Sequence, residues 1–214
     1  MIRRRKGGCL GCSVAIGLFL VVLCAAWIGL GLYPFLAPHA PIASDALVIE
    51  GWLKDDQLLQ ALGWAAGNGI TTIYLTGGPI ETGAWLSEWG TFAEMARARL
   101  LALDQAKPFN LVAVPAGKVK RDRTYASAVA LKAHLQMPRG AFNLASEGPH
   151  TRRSRQIFQQ VFGDGVEVGS LALTPLEYDS SDWWKTSEGV RSVISESIAY
   201  AYSLLVRLRQ KEAE

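Results

Sequence analysis

The sequence predicts an α/β domain, an open and mostly parallel sheet with helices on both faces, placed behind one membrane-spanning helix. Three observations predict it. One long apolar run lies near the start of the 214-residue chain, directly after a cluster of positive charge. Beyond it, short β-branched runs alternate with segments of helical periodicity. The connections between them are short, and no internal repeat or low-complexity tract interrupts them.

The membrane element comes first. Arg3, Arg4, Arg5 and Lys6 form a basic head, and no Asp, Glu, Lys or Arg occurs from Gly7 to Ser44. Within that stretch, Val14–Leu32 holds eleven Leu, Ile, Val or Phe residues. At the insertion scale for such side chains this favours the bilayer by roughly 3–7 kcal/mol, with no charge to oppose it. The expected boundaries are a cytoplasmic head over 1–9, a transmembrane helix over 10–33, a stiff Pro- and Ala-rich linker over 34–43, the α/β domain over 44–208 and a charged tail over 209–214. Positive charge stays cytoplasmic, and no further Lys or Arg follows until Lys54, so the domain is expected outside the cytoplasm. Trp27 and Tyr33 fall near the outer interface. A cleaved signal peptide competes with this reading, but the run is long for one and Pro41 follows the Ala-Pro-His-Ala exit. A lipoprotein site at Cys24 is disfavoured by the bulk of Leu23.

The domain elements follow in order. Ala46–Ile49 is a short apolar strand, and Leu58, Leu59, Leu62 and Ala66 mark one face of a helix over Leu53–Ala66. A second strand spans Thr71–Thr76 and ends in Gly77-Gly78-Pro79. Phe92–Leu103 reads as helix and Asn110–Val114 as strand. Ala128, Leu131 and Leu135 set a helix over Thr124–Met137, followed by a weaker strand at Ala141–Ala145. Ile157, Phe158, Val161 and Phe162 give a helix over Arg152–Phe162, and Val166–Leu173 is a fifth strand. Val190, Val193, Ile194, Ile198, Ala201, Leu205 and Leu208 form a C-terminal apolar stripe.

Charge and cysteine usage narrow the function. Four of the 22 basic residues sit in the head, which leaves 18 against 19 acidic. A near-neutral domain lacks the concentrated basic footprint of a nucleic-acid binder. Cys9, Cys12 and Cys24 all lie in or beside the membrane run, so the domain has no disulfide, and Cys9-x-x-Cys12 has no βαβ context for redox work. No second His or Cys lies near His150, which argues against zinc. Neither a Gly-x-Gly-x-x-Gly after a strand nor a Walker sequence is present.

In an open parallel sheet, ligands bind beyond the carboxyl ends of the strands. Those ends carry Glu50-Gly51-Trp52, Thr76-Gly77-Gly78, Lys118 to Thr124, and Ser146 to Arg153. Gly77-Gly78 serves either a tight turn or a close backbone approach to an anion. Asp122 and Thr124 suit a helix cap; Arg121 and Arg123 are either a solvated face or a grip on phosphate or carboxylate at a helix N-terminus. His150 follows a Gly-Pro turn at a helix start, with Ser146, Glu147, Arg152 and Arg153 near enough in sequence to orient or charge it. Glu50 is the best placed carboxylate. Trp52, Trp85, Trp89, Trp183 and Trp184 either pack in the core or form an aromatic wall against a sugar or the membrane interface, with Trp85 and Trp89 spaced for one helical turn.

Four motifs occur in order: Ser44-Asp-Ala-Leu-Val-Ile-Glu-Gly51, Leu75-Thr-Gly-Gly78, Arg121-Asp-Arg-Thr-Tyr-Ala-Ser127 and Ser146-Glu-Gly-Pro-His-Thr-Arg-Arg-Ser154. Together they resemble the DUF218 family, the YdcF/SanA/ElyC-like group, over about residues 44–205. The resemblance implies a Rossmann-like domain and, in the membrane-anchored members, a place in bacterial envelope biogenesis at the plasma (inner) membrane, close to peptidoglycan or its lipid carrier. Carried over residue by residue, it implies a pocket of Glu50, Gly51, Gly77, Gly78, Thr124, Ser127, Ser146, His150 and Arg153. The first motif reads Ile49-Glu50-Gly51 where Leu-Gly-Gly is common, and Lys-Val-Lys-Arg-Asp-Arg replaces a Glu-rich approach to the third helix. S-adenosylmethionine binding, associated with one cytoplasmic relative, is therefore not carried over, and a more anionic ligand is expected.

The resulting expectation is an envelope protein that meets a phosphorylated or sugar-bearing molecule, such as a polyprenyl-phosphate or sugar-phosphate, at the membrane surface. If it is an enzyme, His150 acts as general acid or base, Glu50 orients or deprotonates, and Gly77-Gly78 with Arg153 stabilises an anion. The other reading is a non-catalytic scaffold or ligand sensor. No cofactor is assigned.

Overall fold

The computed structural model describes residues 8–83, 87–137 and 139–211. The basic head Arg3–Lys6, Trp85 and the end of the charged tail lie outside the described residues. The first helix, α1 (Gly8–Leu36), runs three residues past its expected end and keeps Pro34 inside its last turn. Its stretch Cys12–Leu36 is long and apolar enough to cross a membrane. The described side chains from Cys12 to Ile28 touch nothing that buries them, whereas Tyr33 and Leu36 are buried against the domain.

The expected linker is docked rather than free. Ala40 exchanges backbone hydrogen bonds with Ser170, at 2.9 and 3.0 Å, and so pairs with the outer edge of a strand that would otherwise stand open. The buried amide of Asn143 accepts from Ile42 N at 2.9 Å and donates to Ile42 O at 2.8 Å. α1 is thereby fixed to the domain by its own continuation.

Five parallel strands follow: β1 (Ala46–Glu50), β2 (Thr72–Gly77), β3 (Asn110–Pro115), β4 (Gly140–Glu147) and β5 (Val166–Leu173). Their order across the sheet is β3-β2-β1-β4-β5. The crossovers are α2 (Asp55–Gly67), α3 (Phe92–Leu101), α4 (Arg123–Leu135) and α5 (Thr151–Phe162), and α6 (Ser187–Lys211) closes the chain. Leu47, Ile49, Ile73 and Leu75 pack with Leu58, Leu62 and Leu100 on one face of the sheet. Val48, Phe142 and Leu144 pack with Leu131, Phe158 and Phe162 on the other. Alternation along each buried strand thus supplies two cores, one per helical layer, and the fold is the Rossmann-like α/β class. The strand order reverses between β1 and β4, which makes their carboxyl ends the crevice of the sheet.

Of the described C-terminal stripe residues, Val193 is buried, whereas Val190, Ile194, Ile198 and Leu205 are exposed. The residues of α6 that turn inward are Gly189, Val193, Glu196 and Tyr200, at helical spacing. Trp89 lies in an irregular segment, not on a helical turn. Trp183 is buried, with its indole N–H donating to Gly29 O at 3.1 Å, and Trp184 is half-exposed against Gly29.

Candidate functional site

The crevice between β1 and β4 holds a buried carboxylate. Glu50 ends β1 two residues after Val48, so its side chain faces the α4/α5 layer. There it is 3% exposed and accepts hydrogen bonds from two hydroxyls. Ser146, at the end of β4, donates to Oε2. Ser154, one turn into α5, donates to both oxygens at 3.1 and 3.2 Å. A buried carboxylate is tolerable only with such partners. Burial pushes the Glu50 pKa up, yet the charge of His150 and the hydrogen bonds from Ser146 and Ser154 outweigh it, so the pKa falls below the ordinary carboxylate value.

His150 closes the short 3-10 turn Gly148–His150 that links β4 to α5. Its Nε2 stands 3.7 Å from Glu50 Oε1. Its Nδ1 is 2.9 Å from Glu196 Oε1. Arg153, three residues on, donates to the same carboxylate through Nε at 2.9 Å and Nη2 at 3.1 Å. Arg153 Nη2 also lies 2.9 Å from His150 Nδ1. A protonated Nδ1 donates to Glu196, whereas a bare Nδ1 would accept from Arg153 Nη2; the carboxylates on either side of the ring favour the protonated form. Burial pulls the His150 pKa down, but Glu50 and Glu196 more than reverse this and raise it to about 9. Burial likewise pushes Glu196 up, and hydrogen bonds from His150 and Arg153 bring it down to about 2. At neutral pH the imidazole is therefore a buried cation between two carboxylates. Trp52, half-exposed, covers it edge-on, with ring centroids 5.2 Å apart.

Two buried polar atoms here have no hydrogen-bond partner among the described residues: His150 Nε2 and Thr76 Oγ1. Thr76 is the register partner of Glu50 on β2, so both side chains lie on the same face of the sheet. Nε2, ion-paired with Glu50 but too far for a hydrogen bond, and the Thr76 hydroxyl thus flank the buried carboxylate without a hydrogen bond of their own, which is unusual in a native interior.

The remaining expected residues take other roles. A Cβ on Gly51 would come within 2.5 Å of Phe92 O, and one on Gly77 within 2.7 Å of Phe92 Cβ. These glycines let the start of α3 press against the strand ends, so they serve packing rather than an anion. Gly78 has more space and lines, with Phe92, Gly117, Lys118 and Arg123, a small shallow cleft on the β2–β3 side. Arg123 is largely exposed there, 3.9 Å from Glu81. Thr124 is half-buried in the first turn of α4 and Ser127 is buried one turn later. Arg152 is not at the crevice. Its Nε donates to Phe35 O and its guanidinium lies 4.1 Å from the Phe35 ring centre, which ties α5 to α1. Arg153 is committed to Glu196 and acts as a brace, not as an anion clamp.

Glu196 completes the site without having been singled out from sequence, and Thr76 and Ser154, which stood only within the strand-end motifs, join it. Ser154 sits four residues after His150, one turn along the same helical face. Glu196 sits between Val193 and Tyr200 on the inward face of α6, a lone carboxylate at core spacing. No protein-family model, curated protein or solved structure matches the chain.

Proposed function

We propose that the chain is a single-pass membrane-anchored protein whose domain, held on the non-cytoplasmic side, binds a phosphorylated or sugar-bearing ligand in the crevice between β1 and β4. The observation that carries this is the pair of unsatisfied donors, His150 Nε2 and Thr76 Oγ1, beside buried Glu50. A cationic imidazole donates a charge-assisted hydrogen bond to an anionic oxygen, and a hydroxyl supplies a second contact. The last turn of α1 brings Tyr33 against Gly148, next to His150, so the crevice lies close to the point where α1 meets the domain. That position suits a ligand with its head in the crevice and its tail in lipid, such as a polyprenyl-phosphate, and it accords with the DUF218-like motifs and their envelope association. With its proton held near neutral pH, His150 is suited to donate as a general acid, with Glu50 orienting it.

A non-catalytic sensor or scaffold is the second reading. It is favoured by the complete mutual pairing of Arg153 with Glu196, which welds α6 to the crevice. Both readings require binding. The test is titration of the full chain in nanodiscs with farnesyl phosphate, farnesol and inorganic phosphate. Farnesyl phosphate should bind, and His150→Gln should weaken it by about 10–100-fold through loss of one charge-assisted contact. Equal affinity in wild type and His150→Gln, or equal affinity for farnesol, would refute the site. Turnover of a bound phosphate ester that His150→Gln abolishes separates the enzyme from the sensor.

A further inference from the structure

We propose that the free apolar face of α6 is a membrane-docking surface, seated in the lipid interface beside the point where α1 emerges. The inference rests on the reading of α1 as a membrane span. Val190, Ile194, Ile198, Tyr202 and Leu205 are 39–66% exposed and lie on one side of α6, opposite the face that carries Val193, Glu196 and Tyr200. Trp184, 42% exposed in the turn that leads into α6, extends the patch at its foot. Arg191 lies within the same arc at the foot of the helix, paired with Glu188. An amphipathic helix with aromatic and aliphatic residues on one face is the form of an interfacial helix.

The occupant is set by where α1 meets the domain. The apolar stretch Cys12–Leu36 has 25 residues, about 37 Å of helix, whereas the hydrocarbon core is about 30 Å thick. Contact with the domain begins at Gly29, where the Trp183 indole N–H bonds to Gly29 O and the Trp184 ring would lie 3.7 Å from a Cβ. Twenty residues from Cys12 reach Gly31, so Gly29 sits at or below the lipid boundary and the foot of the domain enters the interface with it. α6 begins at that level and packs against the end of α1. Gly189 packs on the Trp183 carbonyl, and Tyr200 meets Phe35 with ring centroids 5.7 Å apart. From Gly29 to Phe35 α1 advances about 9 Å, and α6 covers that height between Gly189 and Tyr200. α6 therefore starts at the lipid interface. Its inner face is held by the crevice, so its apolar face turns to lipid, continuous with the bare surface of α1.

The test uses the full chain with Cys9, Cys12 and Cys24 replaced by Ala and one new cysteine, Leu20→Cys, Ile198→Cys or Lys107→Cys, each carrying an NBD fluorophore. Each is reconstituted in phosphatidylcholine–phosphatidylglycerol vesicles with nitroxide lipids labelled near the headgroup or deep in the acyl chain. The Leu20 label should be quenched by the deep nitroxide. The Ile198 label should be blue-shifted and lose most of its emission to the shallow nitroxide. The Lys107 label, beyond the opposite end of the sheet, should stay in water. An Ile198 label that behaves like Lys107 while Leu20 is quenched overturns the docking and leaves the span standing. An unquenched Leu20 label overturns both. Quenching of Ile198 that depends on protein density and not on nitroxide overturns it in favour of a second copy of the chain.

Discussion

Raising the pH from 6.5 to 10 should remove about 3 kcal/mol of stability through His150 alone. In the folded protein its pKa is raised from 6.5 to about 9. A raised pKa means that the folded state holds the proton more tightly than the unfolded chain. The stabilisation is therefore complete below about pH 6.5 and is lost as pH climbs through about 9. A shift of this size corresponds to ~3 kcal/mol at 1.36 kcal/mol for each pH unit. The side chain is 15% exposed, so solvent screening removes little of it. For a domain of this length the loss lowers Tm by about 6–12 °C. Glu196 works in the opposite sense: its contribution is present above 4.5 and is lost as pH falls towards 2. Maximum stability should thus fall between about pH 4.5 and 6.5. The assay is thermal unfolding of the full chain in detergent, followed by near-ultraviolet circular dichroism, for wild type and His150→Gln. Other groups titrate near pH 9–10, so the quantity of interest is the difference between the two curves. Parallel curves would show that His150 is not a buried cation, and the account of the crevice would fail with it.

Three further outcomes follow from the same contacts. Glu196→Gln strips the partner from Arg153 and His150 together, and should cost about 2–4 kcal/mol while the imidazole pKa, read by NMR titration, drops from about 9. Gly51→Ala places a Cβ 2.5 Å from Phe92 O and 2.9 Å from Thr76 O, and should destabilise by about 2–3 kcal/mol in urea unfolding, whereas Gly63→Ala, with open space around it, should not. Asn143→Ala removes both hydrogen bonds to Ile42, should cost about 2–3 kcal/mol, and should expose residues 37–44 to limited proteolysis.

The sheet was legible because buried parallel strands and amphipathic helices leave strong periodic signals, as in Val166–Leu173 and in Ile157 to Phe162. The rule that ligands gather beyond the carboxyl ends of parallel strands brought Glu50, Ser146 and His150 to one crevice, where they meet. Other assignments failed for physical reasons. A glycine after a strand looks the same whether it admits a ligand or a helix, and only the 2.5 Å approach of Phe92 shows that Gly51 admits a helix. Arg152 and Arg153 are adjacent in sequence but 100° apart around α5, so one meets Phe35 and the other Glu196. Glu196 itself lies 46 residues from His150, and no local pattern reports a pairing at that distance. The C-terminal stripe was visible as a periodic face, but apolar periodicity does not say what covers it.

α6 joins these observations into one device. Its inner face supplies the carboxylate that keeps His150 charged, and its outer face is the apolar stripe. A rigid helix cannot move one face without the other, so any shift of α6 relative to α5 alters the 2.9 Å contact between Glu196 and His150. The pKa of His150 depends on that contact and on Glu50. It follows that the protonation state of the crevice is set partly by how α6 is seated. Were the stripe seated in lipid, the imidazole of the membrane-bound protein would titrate differently from that of protein in a detergent that leaves α6 displaced. Comparing the His150 titration in nanodiscs and in detergent tests that coupling directly. Equal midpoints, together with intact α6 helicity in both, would mean that the two faces of the helix act independently.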